Sequence, residues 1–183
     1  MSIADKEEML KTYLENGTFN GMVIRSKVHN DQLFHEEVAI WIINSKKELL
    51  LERRSLNKAL NPGRLSLCAG HVVGEDSVED TIIREAQEEI GLDITSLNYK
   101  YVTVVTRKEP NNYCFSHHYV LFADIDLKSL KVQKEELSEV IFMDYEEFKR
   151  RVMENHESVA LVWNEAYQEV FRCIDQCIAE YFK

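Results

Sequence analysis

Three carboxylates crowd one short stretch of the chain. Within residues 70–92, GHVVGEDSVEDTIIREAQEEIGL, Glu85, Glu88 and Glu89 stand at i, i+3 and i+4, so on a helix they fall within one arc of the surface. Like charges placed so close repel and mildly destabilise a bare helix. A hard divalent cation removes the conflict, because Mg²⁺ takes oxygen ligands and wants a few carboxylates, with water or phosphate in its remaining positions. Arg84 lies beside Glu85 and four residues from Glu88. It can orient a carboxylate through a charge-assisted hydrogen bond without occupying a metal position. Taken alone, REAQEE describes many solvated acidic faces. Its surroundings decide what it is for.

The elements needed to hold that arc are legible around it. Val78, Ile82, Ile83, Ala86 and Ile90 fall on one side at helical spacing and can face a core. Ser77 followed three residues later by Asp80 resembles a capping box, and Gly91 suits the left-handed position that ends a helix. Upstream, residues 38–43 form a β-branched apolar run, residues 44–47 a turn, and residues 48–52 a returning strand. Residues 65–68 alternate as they enter the acidic stretch. Residues 99–106 and 113–125 read as strands around a turn at 109–112, and 140–143 as a short strand before a helix capped by Asp144. Residues 159–181 carry Trp163, Tyr167, Val170, Ile174, Cys177 and Tyr181 at alternating steps of four and three, a core-facing helix stripe in which Trp163 and Tyr167 are expected to pack. Ile3, Met9, Leu10, Tyr13 and Leu14 suggest a first helix before the Asn16-Gly17 turn, with residues 12–15 open between a helix end and a hairpin strand. Strands interleaved with helices predict an α/β sandwich, and the lack of a linker or repeat predicts one domain over 1–183.

Composition narrows the partners. The chain has 183 residues and a net charge of −10, with no long basic run, which argues against nonspecific binding to nucleic acid or to an anionic membrane. No apolar run approaches the length of a membrane span, and no signal peptide is apparent. Cys68, Cys114, Cys173 and Cys177 therefore read as reduced thiols in a cytoplasmic protein. Cys173 and Cys177 match a metal half-site in spacing, but no second pair completes it.

Gly70, then Asp76, then Arg84-Glu85-Ala86-x-Glu88-Glu89-x-Gly91-Leu92 resembles the Nudix box, the signature of the Nudix hydrolases. Every fixed position agrees except that Asp76 stands where Glu is usual, keeping the charge at shorter reach. The resemblance implies an α/β/α sandwich with a mixed, curved sheet, the box forming a catalytic loop–helix–loop. It implies metal ligation by Glu85, Glu88, Glu89 and the Gly70 carbonyl, with catalytic roles for Glu88, Glu89 and Arg84. The cofactor is then Mg²⁺ or Mn²⁺, and the reaction is attack of activated water on the pyrophosphate of a nucleoside diphosphate linked to another moiety. Glu88 or Glu89 can take the proton, as can a loop acid, Glu135, Glu136 or Glu139.

A second, looser resemblance covers roughly residues 13–125. Val28-His29, Phe34-His35, Trp41-Ile42-Ile43-Asn44, Leu50-Leu51-Glu52-Arg53-Arg54-Ser55, Asn61-Pro62-Gly63 and Cys68-Ala69-Gly70-His71 resemble the isopentenyl-diphosphate isomerases of Nudix type and their bacterial relatives. His29, His35 and His71 match three metal-binding histidines of those enzymes, and three imidazoles are a reasonable set for a borderline metal. The isomerase thiol, however, falls at Ala69. Cys68 is one place earlier, and on a strand that shift turns a side chain to the opposite face. The strand that carries the isomerase Glu reads Cys114-Phe115-Ser116-His117-His118, with no acid. Hydrolysis is the leading expectation, with isomerisation and non-catalytic nucleotide sensing as alternatives. His117 or His118 is available for phosphate or a base edge, and Tyr113 for stacking. Arg25, Lys27, Arg53, Arg54, Lys58, Arg64 and Arg107 are candidate substrate readers, and the C-terminal helix is a candidate homodimer surface.

Overall fold

The computed structural model describes residues 8–58 and 60–183. Its centre is β3 (His35–Ile43), nearly all of whose residues are buried. Alternation sorts that strand between two cores. Ala39, Trp41 and Ile43 face one, and Val38, Ile40 and Ile42 face the other. β8 (Asn112–Phe122) runs parallel to β3 along its whole length, and β7 (Tyr99–Glu109) pairs antiparallel beyond it. The other edge of β3 is shared. β6 (Cys68–His71) pairs with Glu37 to Ile40, while β4 (Glu48–Arg54) pairs only at Ile43 with Leu49. β4 goes on to pair with β5 (Leu65–Ser66) and β9 (Leu137–Asp144). The sheet is mixed and forks at β3, and the acidic stretch leaves from the fork.

One face of the sheet is covered by α2 (Val78–Ile90), which buries Ile82, Ala86 and Ile90. The other is covered by α3 (Tyr145–Met153) and α4 (Glu165–Tyr181), which bury Phe148, Val152, Val170, Phe171 and Ile174 around Trp41. This is the expected α/β/α sandwich. Trp41 is fully buried, and its indole N–H donates to His118 Nδ1 at 3.2 Å. Such a filled site makes truncation to Ala cost about 3–5 kcal/mol.

Several local expectations change. The first helix is instead β1 (Met9–Tyr13), which pairs with β2 (Phe19–Ile24) across the Asn16-Gly17 turn; Ile3 lies outside the described residues. Met9, Leu10 and Tyr13 stand at helical spacing, but pairing in the hairpin decides, burying Leu10 and Thr12 on one strand face and leaving Met9 on the other. A short α1 (Arg25–Asn30) was not anticipated. The last helix starts at Glu165 because Ala160 N–H donates to Leu65 O at 2.8 Å, holding that segment extended, and Asn164 caps the Tyr167 N–H at 3.0 Å. No helix among the described residues is long and apolar enough to cross a membrane.

Candidate functional site

Two clusters of polar side chains open onto one cleft of about 580 Å³. The first is carried by α2. Ser77 Oγ accepts the Asp80 N–H at 3.0 Å while Asp80 Oδ2 accepts the Ser77 N–H at 3.3 Å, so the capping box forms. Gly91 closes the helix with φ of 68°. Between these ends Arg84 gathers the acids. Its Nη1 donates to Glu85 Oε1 at 2.9 Å and Glu88 Oε2 at 3.1 Å, and its Nε to Asp76 Oδ2 at 3.3 Å. The shorter Asp76 therefore still reaches the helix. Gly70 sits where a Cβ would fall 2.0 Å from Glu85 Oε1, so only glycine lets β6 pass that carboxylate.

Glu89 turns inward. Its Oε2 accepts the Ala69 N–H at 3.2 Å, and its carboxyl meets those of Glu85 and Glu52. Burial and the neighbouring Glu89 raise Glu85 to about 7. Burial likewise raises Glu89 to about 7, against the stabilising Ala69 N–H. Glu52, 1% exposed, is pushed well above the carboxylate range by burial and by Glu89. The signal for Glu52 in the sequence is an acid two residues after the core residue Leu50, hence on the same face of β4. Crowded carboxyls of this kind offer the oxygen donors that a hard cation takes. The donors fit Mg²⁺ or Mn²⁺.

Of the loop acids, Glu136 lines the cleft and pairs with Lys58; Glu139 instead pairs with Arg53 at 2.5 Å, and Glu135 is exposed. Of the candidate readers, Arg25, Arg54, Lys58 and Arg107 line the cleft. Lys27 is engaged with Asp31. Tyr113 packs against Phe34, ring centroids 5.4 Å apart. His118 is buried under Trp41 and cannot meet a ligand, and His117 lies 3.3 Å from Glu36.

The second cluster joins His29 of α1, His35 of β3 and His71 of β6, whose candidate ligand nitrogens lie within 4.8 Å of one another. His29 Nδ1 bonds to Asn111 O at 2.8 Å and His35 Nδ1 to Leu33 O at 3.2 Å. Bonded to carbonyl oxygens through Nδ1, both rings turn Nε2 toward the cluster, the orientation metal-binding histidines use. His29 Nε2 and His71 Nε2 are 3.1 Å apart, and His35 Nε2 is buried with no hydrogen-bond partner. Glu37 faces the group, its Oε1 3.6 Å from His35 Nε2 and 3.5 Å from His71 Nε2. Burial pushes the Glu37 carboxyl up, but His35 and the Arg107 guanidinium outweigh it and hold it well below the carboxylate range. Burial lowers His71 to about 3, keeping it neutral. Sequence reasoning had the three histidines and missed Glu37.

The two faces of β6 settle the thiol. Ala69 lines the cleft beside His71, while Cys68 is buried on the opposite face, toward Glu52 and Glu89. The cysteine is thus turned away from the imidazoles, as the one-residue shift predicts.

Comparison with known proteins places these features in context. A family model for the NUDIX domain matches residues 33–162. Isopentenyl-diphosphate Delta-isomerase of Citrobacter koseri is 32% identical over 136 residues, covering 72% of this chain and 72% of the relative. Nudix hydrolase 3 of Arabidopsis thaliana is 31% identical over 136 residues, 68% of this chain, which spans only 18% of that protein's length. Among solved structures, DR0079 from Deinococcus radiodurans has the same fold, with a TM-score of 0.73 over 91% of this chain and 99% of that one, at 21% identity.

Proposed function

The chain belongs to the NUDIX domain family, and on that premise we propose that it is a Mg²⁺- or Mn²⁺-dependent hydrolase that splits the pyrophosphate bond of a nucleoside diphosphate linked to another moiety. One observation carries this: Arg84 gathers Glu85 and Glu88 at the cleft wall, with Glu89 turned in beside them against the Ala69 N–H and next to the Gly70 backbone. Glu85, Glu88, Glu89 and the Gly70 carbonyl would hold the cation, which when bound supplies charge neutralisation for the diphosphate and activation of water. Arg84 fixes the Glu85 and Glu88 carboxylates so that little reorganisation is needed on binding. Arg54 and Lys58 stand where they can meet the anionic substrate, countering the net charge of −10. Glu88, Glu89 or Glu136 takes the proton from the attacking water.

The test is a panel of nucleoside di- and triphosphates, nucleotide sugars, dinucleoside polyphosphates and dinucleotide cofactors with Mg²⁺ or Mn²⁺ in ¹⁸O-labelled water. Metal-dependent turnover with the label in one phosphate product is expected; no turnover across the panel removes the proposal.

A second possibility, isomerisation of isopentenyl diphosphate to its allylic isomer, draws on the histidine cluster and on the 32% identical isomerase. Against it stand Ala69 in the cleft and the acid-free strand from Cys114 to His118. Isopentenyl diphosphate followed by proton NMR decides it, and conversion to dimethylallyl diphosphate would establish it.

A further inference from the structure

We propose that Glu52, Cys68 and Glu89 form a binding site for a thiophilic divalent cation of the zinc class, beneath α2 and behind the outer carboxylates. A carboxylate oxygen from Glu52, the Cys68 Sγ and a carboxylate oxygen from Glu89 lie within 4.8 Å of one another. Tetrahedral coordination by sulfur and oxygen, with bonds of about 2.0–2.3 Å, needs ligand atoms roughly 3.5 Å apart, so small side-chain rotations suffice.

What points to a ligand is Glu52 Oε1. Glu52 is 1% exposed, and that oxygen has no hydrogen-bond partner. Leaving such a buried oxygen unsatisfied is costly, and a bound cation would satisfy it. The strand pattern aims it. Leu50 and Glu52 share the α2 face of β4, and Cys68 projects from β6 onto that same face.

The donor types select the ion. Mg²⁺ demands oxygen and water around a near-octahedral centre, and a buried thiol is a poor ligand for it. Zinc-class ions take Cys sulfur and carboxylate oxygen together, and three protein ligands leave a fourth position open. The histidine cluster is a separate set, reached from the opposite face of β6, and supplies no sulfur from Cys68.

Cobalt(II) is the probe, added to the metal-free full-length protein without nucleotide, so the outcome does not depend on the hydrolase proposal. The expected result is a near-ultraviolet thiolate-to-cobalt charge-transfer band that rises to saturation as cobalt is added. It should survive in Cys114→Ser and His71→Ala and disappear in Cys68→Ser and Cys68→Ala. Glu52→Gln should weaken binding by at least about tenfold, as loss of a ligand or its support does. Circular dichroism of each variant confirms a folded chain. No band in the wild type, or an unchanged band in a folded Cys68→Ala protein, overturns the proposal.

Discussion

The carboxylate platform and the histidine cluster open on the same cleft and are built in opposite ways. The platform takes three members from one helix, spaced so that local geometry alone brings them together. The cluster takes His29 from α1, His35 and Glu37 from β3 and His71 from β6, brought together by sheet pairing, in which Glu37 lies directly opposite His71. Their electrostatics differ as well. Burial drives Glu85 and Glu89 up to about 7, and the neighbouring Glu89 adds to the push on Glu85. In the cluster, burial drives His71 down to about 3, and the Glu37 carboxyl falls well below its usual range. One region is an excess of oxygen anions that suits a hard cation. The other is a set of three imidazoles beside a single carboxylate, which suits a borderline one.

The largest effect should fall on the platform. Glu89→Gln or Glu88→Gln is expected to lower kcat on a nucleoside-diphosphate substrate by about a hundredfold or more, the scale of a lost catalytic carboxylate. His71→Ala should change it by less than about tenfold. Steady-state kinetics on the three variants tests the division. If His71→Ala abolishes turnover while both Glu variants retain it, the chemistry belongs to the cluster.

That asymmetry also explains what the sequence could disclose. The platform was legible because helical spacing turns sequence distance into spatial distance, and the Ser77 cap and the Gly91 stop fixed where the helix ran. The sandwich was legible because strands and helices alternate with clear periods. Glu37 and Glu52 were not, since a strand residue meets its partners through register with segments far along the chain. Glu37 meets His71, 34 positions away, and Glu52 meets Glu89, 37 positions away. The N-terminal hairpin stayed an open alternative for a related reason: Met9, Leu10 and Tyr13 stand at helical spacing, and only pairing with β2, beyond the turn, makes that stretch a strand.

A smaller effect separates the regions by sterics. Gly70→Ala puts a Cβ into the Glu85 carboxylate, 2.0 Å from its Oε1. Either Glu85 moves or β6 does, and overpacking of this kind costs about 1–3 kcal/mol. Thermal unfolding should show that loss, and calorimetric Mg²⁺ affinity should fall with it. Zinc-class binding at the histidines should change little, because His71 projects from the other face of β6. Equal loss at both would mean that the two regions are one mechanical unit.

Acidity gives the next discrimination, because the signs oppose. Glu85 and Glu89 have folded values of about 7 against an ordinary 4.5, so between those values the folded state binds protons that the unfolded chain does not. Stability from the platform is therefore present at low pH and is lost as pH rises through that window. Metal-free protein should melt at a lower temperature at pH 7.5 than at pH 5.5 by this contribution, and Mg²⁺ should offset the loss. Glu85→Gln should flatten the slope. A melting temperature that rises with pH equally in wild type and variant would show that the carboxyls are not crowded as described.

The last effect lies on the cluster, and its sign is the reverse. His71 is held neutral down to about 3 against an ordinary 6.5, so the unfolded chain takes up the proton first. The stability it contributes is present above about 6.5 and is lost progressively as pH falls toward 3. In His71→Asn that acid-side loss should shrink while the neutral-side slope set by Glu85 and Glu89 stays in place. Differential scanning calorimetry from pH 4 to pH 8 on chelator-treated wild type, Glu85→Gln and His71→Asn resolves the two arms separately. A zinc-class ion added at pH 6 should then stabilise wild type more than His71→Asn, since the ion binds the neutral imidazole that the proton would otherwise claim.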